Sequence, residues 1–140
     1  MVGADPIGLE PLDERACRGL LGDRGIGRVA VSIGAVPAVF PVNYGVLDGD
    51  VVFRTTDGTK FDAAVRRAVV AFEVDEVDPL YHEGWSVLVV GRAEVVTDED
   101  RLARAGRLPM APWAPGPHEH LVAIRPAMVS GRRIVQGRPA

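Results

Sequence analysis

At 140 residues, with 47% hydrophobic and 25% charged side chains, the sequence fits one domain able to build a core; its composition excludes a disordered chain. The formal net charge of −3, with basic residues scattered apart from pairs such as Arg66-Arg67 and Arg132-Arg133, lacks the basic face of a nucleic-acid binder. A lone cysteine, Cys17, excludes an internal disulfide framework, and neither a signal peptide nor a run of ~20 apolar residues stands out, so a cytoplasmic protein without membrane attachment is expected.

The first ten residues read as a loose arm, flexible over 1–8, on a single domain spanning 1–140. Asp13 suits a helix N-cap, Ala16, Cys17, Leu20 and Leu21 recur at helical spacing, and Gly22 suits the stop. Residues 27–33 alternate, with Val29, Val31 and Ile33 on one face, which predicts a half-buried strand; a turn is expected over 34–37. Residues 38–47 predict a second strand, and Pro41 asks for an edge or a bulge there. Asp48-Gly49, between apolar runs, is a hairpin signal leading into a strand over 51–55.

Residues 58–68 read as a short helix opened by a capping box of Thr59 and Asp62, with Phe61, Ala64, Val65 and Ala68 inward. Residues 69–74 predict a strand with Val70, Phe72 and Val74 facing the core, followed by an acidic, solvated edge of Glu73, Asp75, Glu76 and Asp78. Residues 85–96 predict a long strand with Gly91 marking a bulge or a barrel corner. Thr97, with Asp100 three residues on, opens another helix with Leu102 and Ala105 inward. A proline-rich loop over 108–117 carries Trp113, and a last strand runs from 120 to 124 and on past Pro126 to 129–134. About six strands joined by hairpins or single helices imply antiparallel pairing, since parallel pairs need longer crossovers. A small sheet with two unequal faces removes its edges by closing. The expected fold is all-β with a few short helices: a six-stranded antiparallel split barrel.

The chemistry concentrates in residues 41–62. Arg54, Thr55 and Thr56 end a strand and Lys60 starts a helix, with Asp57-Gly58-Thr59 between. Cations, hydroxyls and helix N-terminal amides in one short segment suit a phosphate; solvated surface charges beside turn-forming threonines are the alternative reading, and the segment is not a Walker loop. Asn43 sits mid-strand, where asparagine is depleted; its amide could read the edge of a heterocycle and Tyr44 could stack, or both could serve the core. Trp85 and Ser86, after Gly84, combine a flat apolar surface with a donor, or make a core tryptophan at a strand start. Cys17 belongs most simply to its helix stripe. His118 and His120 lie two apart, but no third metal ligand is evident. No Ser/His/Asp or Cys/His arrangement has local support.

The order GRVAVSI, PAVFPVNYGVLDGDVVFRTTDGTKFDAA, VVAFEVDEVD, GWSVLVVGRAEVV, a Trp-Pro loop and a final SGRR resembles the pyridoxamine 5′-phosphate oxidase-like flavin-binding proteins, above all their small, often actinobacterial branch. The resemblance covers residues 9–135 or so. It implies a split barrel that forms a homodimer and holds FMN in two symmetric grooves between subunits. Arg54, Thr55 and Lys60, with Thr56 beside them, would grip the flavin phosphate. Asn43 and Tyr44 would lie near the ring system with Val42 beneath it, Trp85 and Ser86 would come from a neighbouring strand of either subunit, and Trp113 and Arg132 would form the rim. The chain is shorter than a true pyridoxamine phosphate oxidase and lacks a convincing form of its C-terminal substrate segment, so vitamin B6 oxidation is not implied. Related branches bind a deazaflavin coenzyme or heme, or have lost cofactor. The expectation is an FMN-binding oxidoreductase acting with a small-molecule substrate or electron donor, with a deazaflavin-dependent reductase or a flavin-binding module without turnover as alternatives. Flavin carries its own hydride chemistry, which matches the absence of an evident triad.

Overall fold

The computed structural model describes residues 9–22, 24–110 and 119–134. The elements are β1 (Leu9–Leu12), α1 (Glu14–Leu21), β2 (Arg24–Ile33), β3 (Val36–Leu47), β4 (Asp50–Thr55), α2 (Thr59–Val65), β5 (Val69–Asp78), β6 (Glu83–Val95), α3 (Glu99–Ala105) and β7 (His120–Ile134). The sheet runs β1-β7-β4-β3-β2-β5-β6, these strands pair antiparallel, and β6 also pairs with β7. β2 to β7 thus close a six-stranded ring. One edge of β7 is shared, with His120–Ile124 pairing to β4 and Gly131–Ile134 to β1. The six-stranded antiparallel split barrel expected from the sequence is the observed architecture, with β1 added. No helix among the described residues is long and apolar enough to cross a membrane.

The hairpin between β3 and β4 turns where the sequence marks it: Asp48 and Gly49 both have positive φ, 53° and 83°, matching the twist of the flanking strands. Pro41 pairs with Arg28 on β2, while β4 reaches β3 only over Tyr44–Leu47, so the proline lies at a one-sided stretch of strand. Asp13 caps α1 by accepting from the Ala16 amide, and Gly22 ends it with φ 66°.

Inside the ring lies the main core, including Val29, Val31, Val42, Tyr44, Phe53, Val70, Phe72, Val74, Val87 and Val89, with Cys17 and Leu21 of α1 closing one part of it. A second cluster of Leu47, Val52, Val96, Ala105, Met110, Leu121 and Ala123 lies on the other face of β4 and β7. β4 is therefore buried on both sides, which its run Val51-Val52-Phe53 anticipates. The Tyr44 ring meets Phe72 edge-on at 4.8 Å, and its hydroxyl donates to the Leu21 carbonyl, tying α1 to β3. Tyr44→Phe leaves that buried carbonyl without this donor. It is expected to cost about 1–2 kcal/mol, read as a lower urea midpoint at unchanged m-value.

Several local expectations are corrected. Leu9 and Glu10 belong to a strand rather than an arm, because the free edge of β7 takes them as a partner. The first turn is only Gly34-Ala35, since Val36 and Pro37 pair back onto Ile33 and Ser32. Ile33 is exposed, lying at the end of this projecting hairpin. The Thr59–Asp62 capping box does not form. Gly58 is the N-cap with φ 146° and no side-chain bond, so Thr59 is already helical. α2 stops at Val65, the chain reverses through Arg67 at φ 54°, and Ala63 rather than Val65 faces in. Asp98, not Thr97, caps α3 by accepting from the Arg101 amide at 2.9 Å, and Leu102 stays 37% exposed. β5 continues past the expected end at Val74 to Asp78, paired residue for residue with β6, and residues 75–78 stay exposed as expected.

Candidate functional site

β4 hands over to α2 at one end of the barrel, and the cationic segment lies there. Thr55 is buried and its Oγ1 donates to the Thr56 carbonyl at 3.2 Å, fixing the turn. Arg54 reaches the Glu119 carboxylate with Nε only at 4.0 Å, a loose pair. Lys60 Nζ sits 4.4 Å from the centroid of the Phe40 ring on β3. Burial pushes the Lys60 ammonium below its ordinary pKa, and it forms no ion pair among the described residues. Among the described residues this half-buried cation is held by a ring face and has no counter-charge of the kind its desolvation calls for.

Beside it, His120 Nε2 lies 2.7 Å from Asp57 Oδ1, and the imidazole stacks on Phe61 at 3.7 Å between centroids and 12° between planes. His120 also pairs with Thr55 across the β4–β7 ladder. These contacts pin the 56–58 turn to β7. A groove of about 360 Å³ opens beyond them, between α2, β6 and the start of β7.

The remaining expected residues are distributed by strand alternation. Val42 and Tyr44 face the core, which for Tyr44 is the second of the two readings the sequence leaves open. Tyr44 pairs with Phe53 on the core face, so Asn43 and Arg54, one residue on, share the outer face. Asn43 pairs with Ile26 of β2, and further round the same barrel Ser86 pairs with Asp75 and Arg132. Ser86 and Arg132 line a cavity of about 420 Å³ with Leu12 and Leu88. Trp85 is half-buried between its ladder partners Glu76 and Arg133, in a groove of about 620 Å³ on the outlying part of the β5–β6 hairpin. Trp113 and His118 lie outside the described residues.

The expected site thus falls into two groups. From His120, beside the cradle, to Arg132, beside Ser86, β7 advances twelve residues, about 40 Å of strand at ~3.3 Å per residue. The structure brings Arg54, Thr55, Thr56 and Lys60 together on one short segment, and Trp85, Ser86 and Arg132 together on another. Sequence reading missed Phe40, Phe61 and the Asp57–His120 pair. Asp57 and His120 are 63 residues apart, and only their meeting in the fold gives either a role.

One further cluster lies on the outer face between the two groups. Arg28 reaches Glu73 at 3.4 Å and Asp75 at 3.6 Å. Burial first, and the neighbouring Asp75 second, push the Glu73 carboxyl up to about 7, against the pull of Arg28. A carboxyl whose pKa is raised on folding holds its proton in the native state after the unfolded chain has released it, so its contribution to stability falls as pH rises from the ordinary glutamate range through about 7. Glu73→Gln is expected to flatten that part of the stability–pH curve and to stabilise the protein relative to wild type at about pH 8, read by thermal melts from about pH 4 upward.

Comparison with known proteins agrees with this architecture. The pyridoxamine 5′-phosphate oxidase family pattern matches residues 13–133. The uncharacterized protein Rv0080 of Mycobacterium tuberculosis is 42% identical over 129 residues, 89% of this chain and 84% of the relative. Among solved structures, an FAD binding protein from Mycobacterium smegmatis superposes with a TM-score of 0.74 at 36% identity, covering 89% of this chain and 98% of that one. A candidate pyridoxamine 5′-phosphate oxidase from Corynebacterium glutamicum gives a TM-score of 0.76 at 31% identity over 94% and 97% of the two chains. With the family pattern running over nearly the whole barrel, from the cap of α1 to the end of β7, the chain belongs to the pyridoxamine 5′-phosphate oxidase family.

Proposed function

We propose that this protein binds a flavin through its terminal phosphate at the β4–α2 cradle and acts as an FMN-dependent oxidoreductase on a small molecule. The observation that carries the reading is Lys60, a half-buried ammonium with an aromatic ring for company and no carboxylate paired to it among the described residues. A phosphate supplies the missing charge. Arg54, held only loosely by Glu119, adds a second charge-assisted donor, and the Thr55 and Thr56 hydroxyls lie in the same segment. These residues fit a phosphate-tailed flavin. Bound flavin supplies hydride and electron transfer, and the chain's own part is to hold and orient it. Asn43, next to Tyr44 on β3, is the residue of the first group whose amide would read a ring edge.

The same geometry supports a homodimer. Trp85, Ser86 and Arg132 lie some 40 Å of strand from the cradle, so a second copy laid against the outer face is the direct way for both groups to meet one ligand. FAD is a second reading, favoured by the 36%-identical FAD binding protein of Mycobacterium smegmatis. The test is the absorption spectrum and mass of the molecule that co-purifies, followed by addition of FMN, FAD or a deazaflavin coenzyme to protein stripped of it. Light scattering supplies the oligomeric state. A yellow dimer reducible by a nicotinamide nucleotide supports the proposal. A colourless protein that takes up neither FMN nor FAD, or that accepts only the deazaflavin, overturns it. A yellow protein that no reductant and acceptor turn over is a binding module.

A further inference from the structure

The cradle contains a charge of the wrong sign. Between Arg54 and Lys60 lies Asp57, three residues from each, so the segment offered to a phosphate also holds a carboxylate that would compete with it for the same two cations. Packing does not fix where that carboxylate points. Its side chain is 63% exposed, and the residue after it, Gly58, has φ 146° and open space where a Cβ would stand. A turn built this way leaves the carboxylate's direction to its hydrogen-bond partner. Among the described residues Asp57 pairs with neither Arg54 nor Lys60 but with His120, at 2.7 Å. An ionised carboxylate only accepts, so Nε2 of His120 donates to Oδ1. The imidazole is a fixed partner. It stacks on Phe61 with 3.7 Å between centroids, and its backbone lies opposite Thr55 in the β4–β7 ladder.

We infer that His120 is a positioning residue of the cradle: it draws Asp57 away from the two cations, keeping Lys60 open to an anionic ligand and Arg54 open but for Glu119 at 4.0 Å. The inference rests on the phosphate reading of the cradle and adds to it a residue that acts through Asp57 rather than on the ligand. Without the imidazole's donor, Asp57 becomes the phosphate's competitor, and the cradle inhibits itself.

The test compares wild type, His120→Phe, Asp57→Asn and the double variant by fluorescence titration with FMN, after removal of any bound flavin. His120→Phe keeps a ring against Phe61 and removes the donor. It is expected to weaken FMN binding by about tenfold, the low end of what one charge-assisted hydrogen bond contributes. Asp57→Asn removes the charge and keeps an acceptor for Nε2, and it is expected to bind FMN at least as tightly as wild type. The double variant is expected to lie within about threefold of Asp57→Asn, because a competitor that is gone needs no holding. A purely structural contact would show no such rescue. A double variant as weak as His120→Phe, or a folded His120→Phe that binds like wild type, overturns the inference and leaves the cradle standing. Asp57→Asn is a change at an exposed position and decides even where His120→Phe does not fold: affinity below wild type overturns the inference. Wild type that binds no FMN, or binds it as tightly after Lys60→Ala and Arg54→Ala, removes the cradle reading, and this inference with it.

Discussion

Lys60→Ala is expected to weaken flavin binding by about ten- to a hundredfold, the loss of one charge-assisted hydrogen bond to phosphate. The apo protein has little to lose in the exchange. The ammonium's contact is a ring face at 4.4 Å, and its burial disfavours the charged form, so the variant should melt no lower than wild type. That separation is what identifies a binding residue: affinity falls and stability does not. Arg54→Ala is expected to act in the same direction but less, because Arg54 shares its charge with Glu119 at 4.0 Å and a phosphate must compete with that carboxylate. Glu119→Gln removes the competitor and should tighten binding. Fluorescence titration with FMN at fixed ionic strength measures all three, and affinity that is the same in wild type, Lys60→Ala and Arg54→Ala would remove the cradle as a phosphate site.

The fold was legible because its signals are local. Alternation over β2, β5 and β6 assigns the core faces, Asp48-Gly49 states its own turn type, and Gly91 marks an irregularity that the β6–β7 register confirms between Val90 and Gly91. Misread details depended on partners distant in sequence. Leu9–Leu12 becomes a strand only because β7 outruns β4 and leaves an edge for it. The acidic residues 75–78 are strand because β6 pairs with them throughout. Helix starts failed by one residue for a chemical reason. At α2 a glycine conformation displaced the expected threonine cap, and at α3 an aspartate one position later took the cap, accepting from the Arg101 amide.

The candidate site divides the same way. Arg54, Thr55, Thr56 and Lys60 were legible as a unit because seven consecutive positions hold them all. Tyr44 was not. A tyrosine in a strand next to asparagine reads equally as stacking platform or core, and only the Leu21 carbonyl and the Phe72 ring decide for the core. The groove was invisible in sequence, since its stacked pair joins a helix to a strand that follows it by more than fifty residues, and no spacing rule links Phe61 to His120.

Gly91→Val is expected to be the most destabilising of these substitutions, at about 3 kcal/mol or more, lowering the melting temperature by roughly 10 °C. A Cβ at this position would stand 1.9 Å from the Arg125 carbonyl oxygen and 2.8 Å from its carbon, so the obstacle is backbone, which cannot swing aside as a side chain does. The strand opposite carries an extra residue here: Val90 faces Met128 and Gly91 faces Pro126, leaving Ala127 in the bulge. Relief would require β7 to lift away from β6, and this pairing closes the barrel and carries Ser86 against Arg132. The damage should therefore reach the second group of candidate residues as well as the melt. Gly19→Ala is the opposing control. Gly19 lies inside α1, and a Cβ there would meet nothing within 4 Å, so alanine should raise stability by about 0.5–1 kcal/mol through helix propensity alone. Parallel denaturation of the two variants separates steric exclusion at the barrel seam from a general intolerance of side chains at glycine positions, and a Gly91→Val protein as stable as wild type would mean that the seam between β6 and β7 is far looser than its register implies.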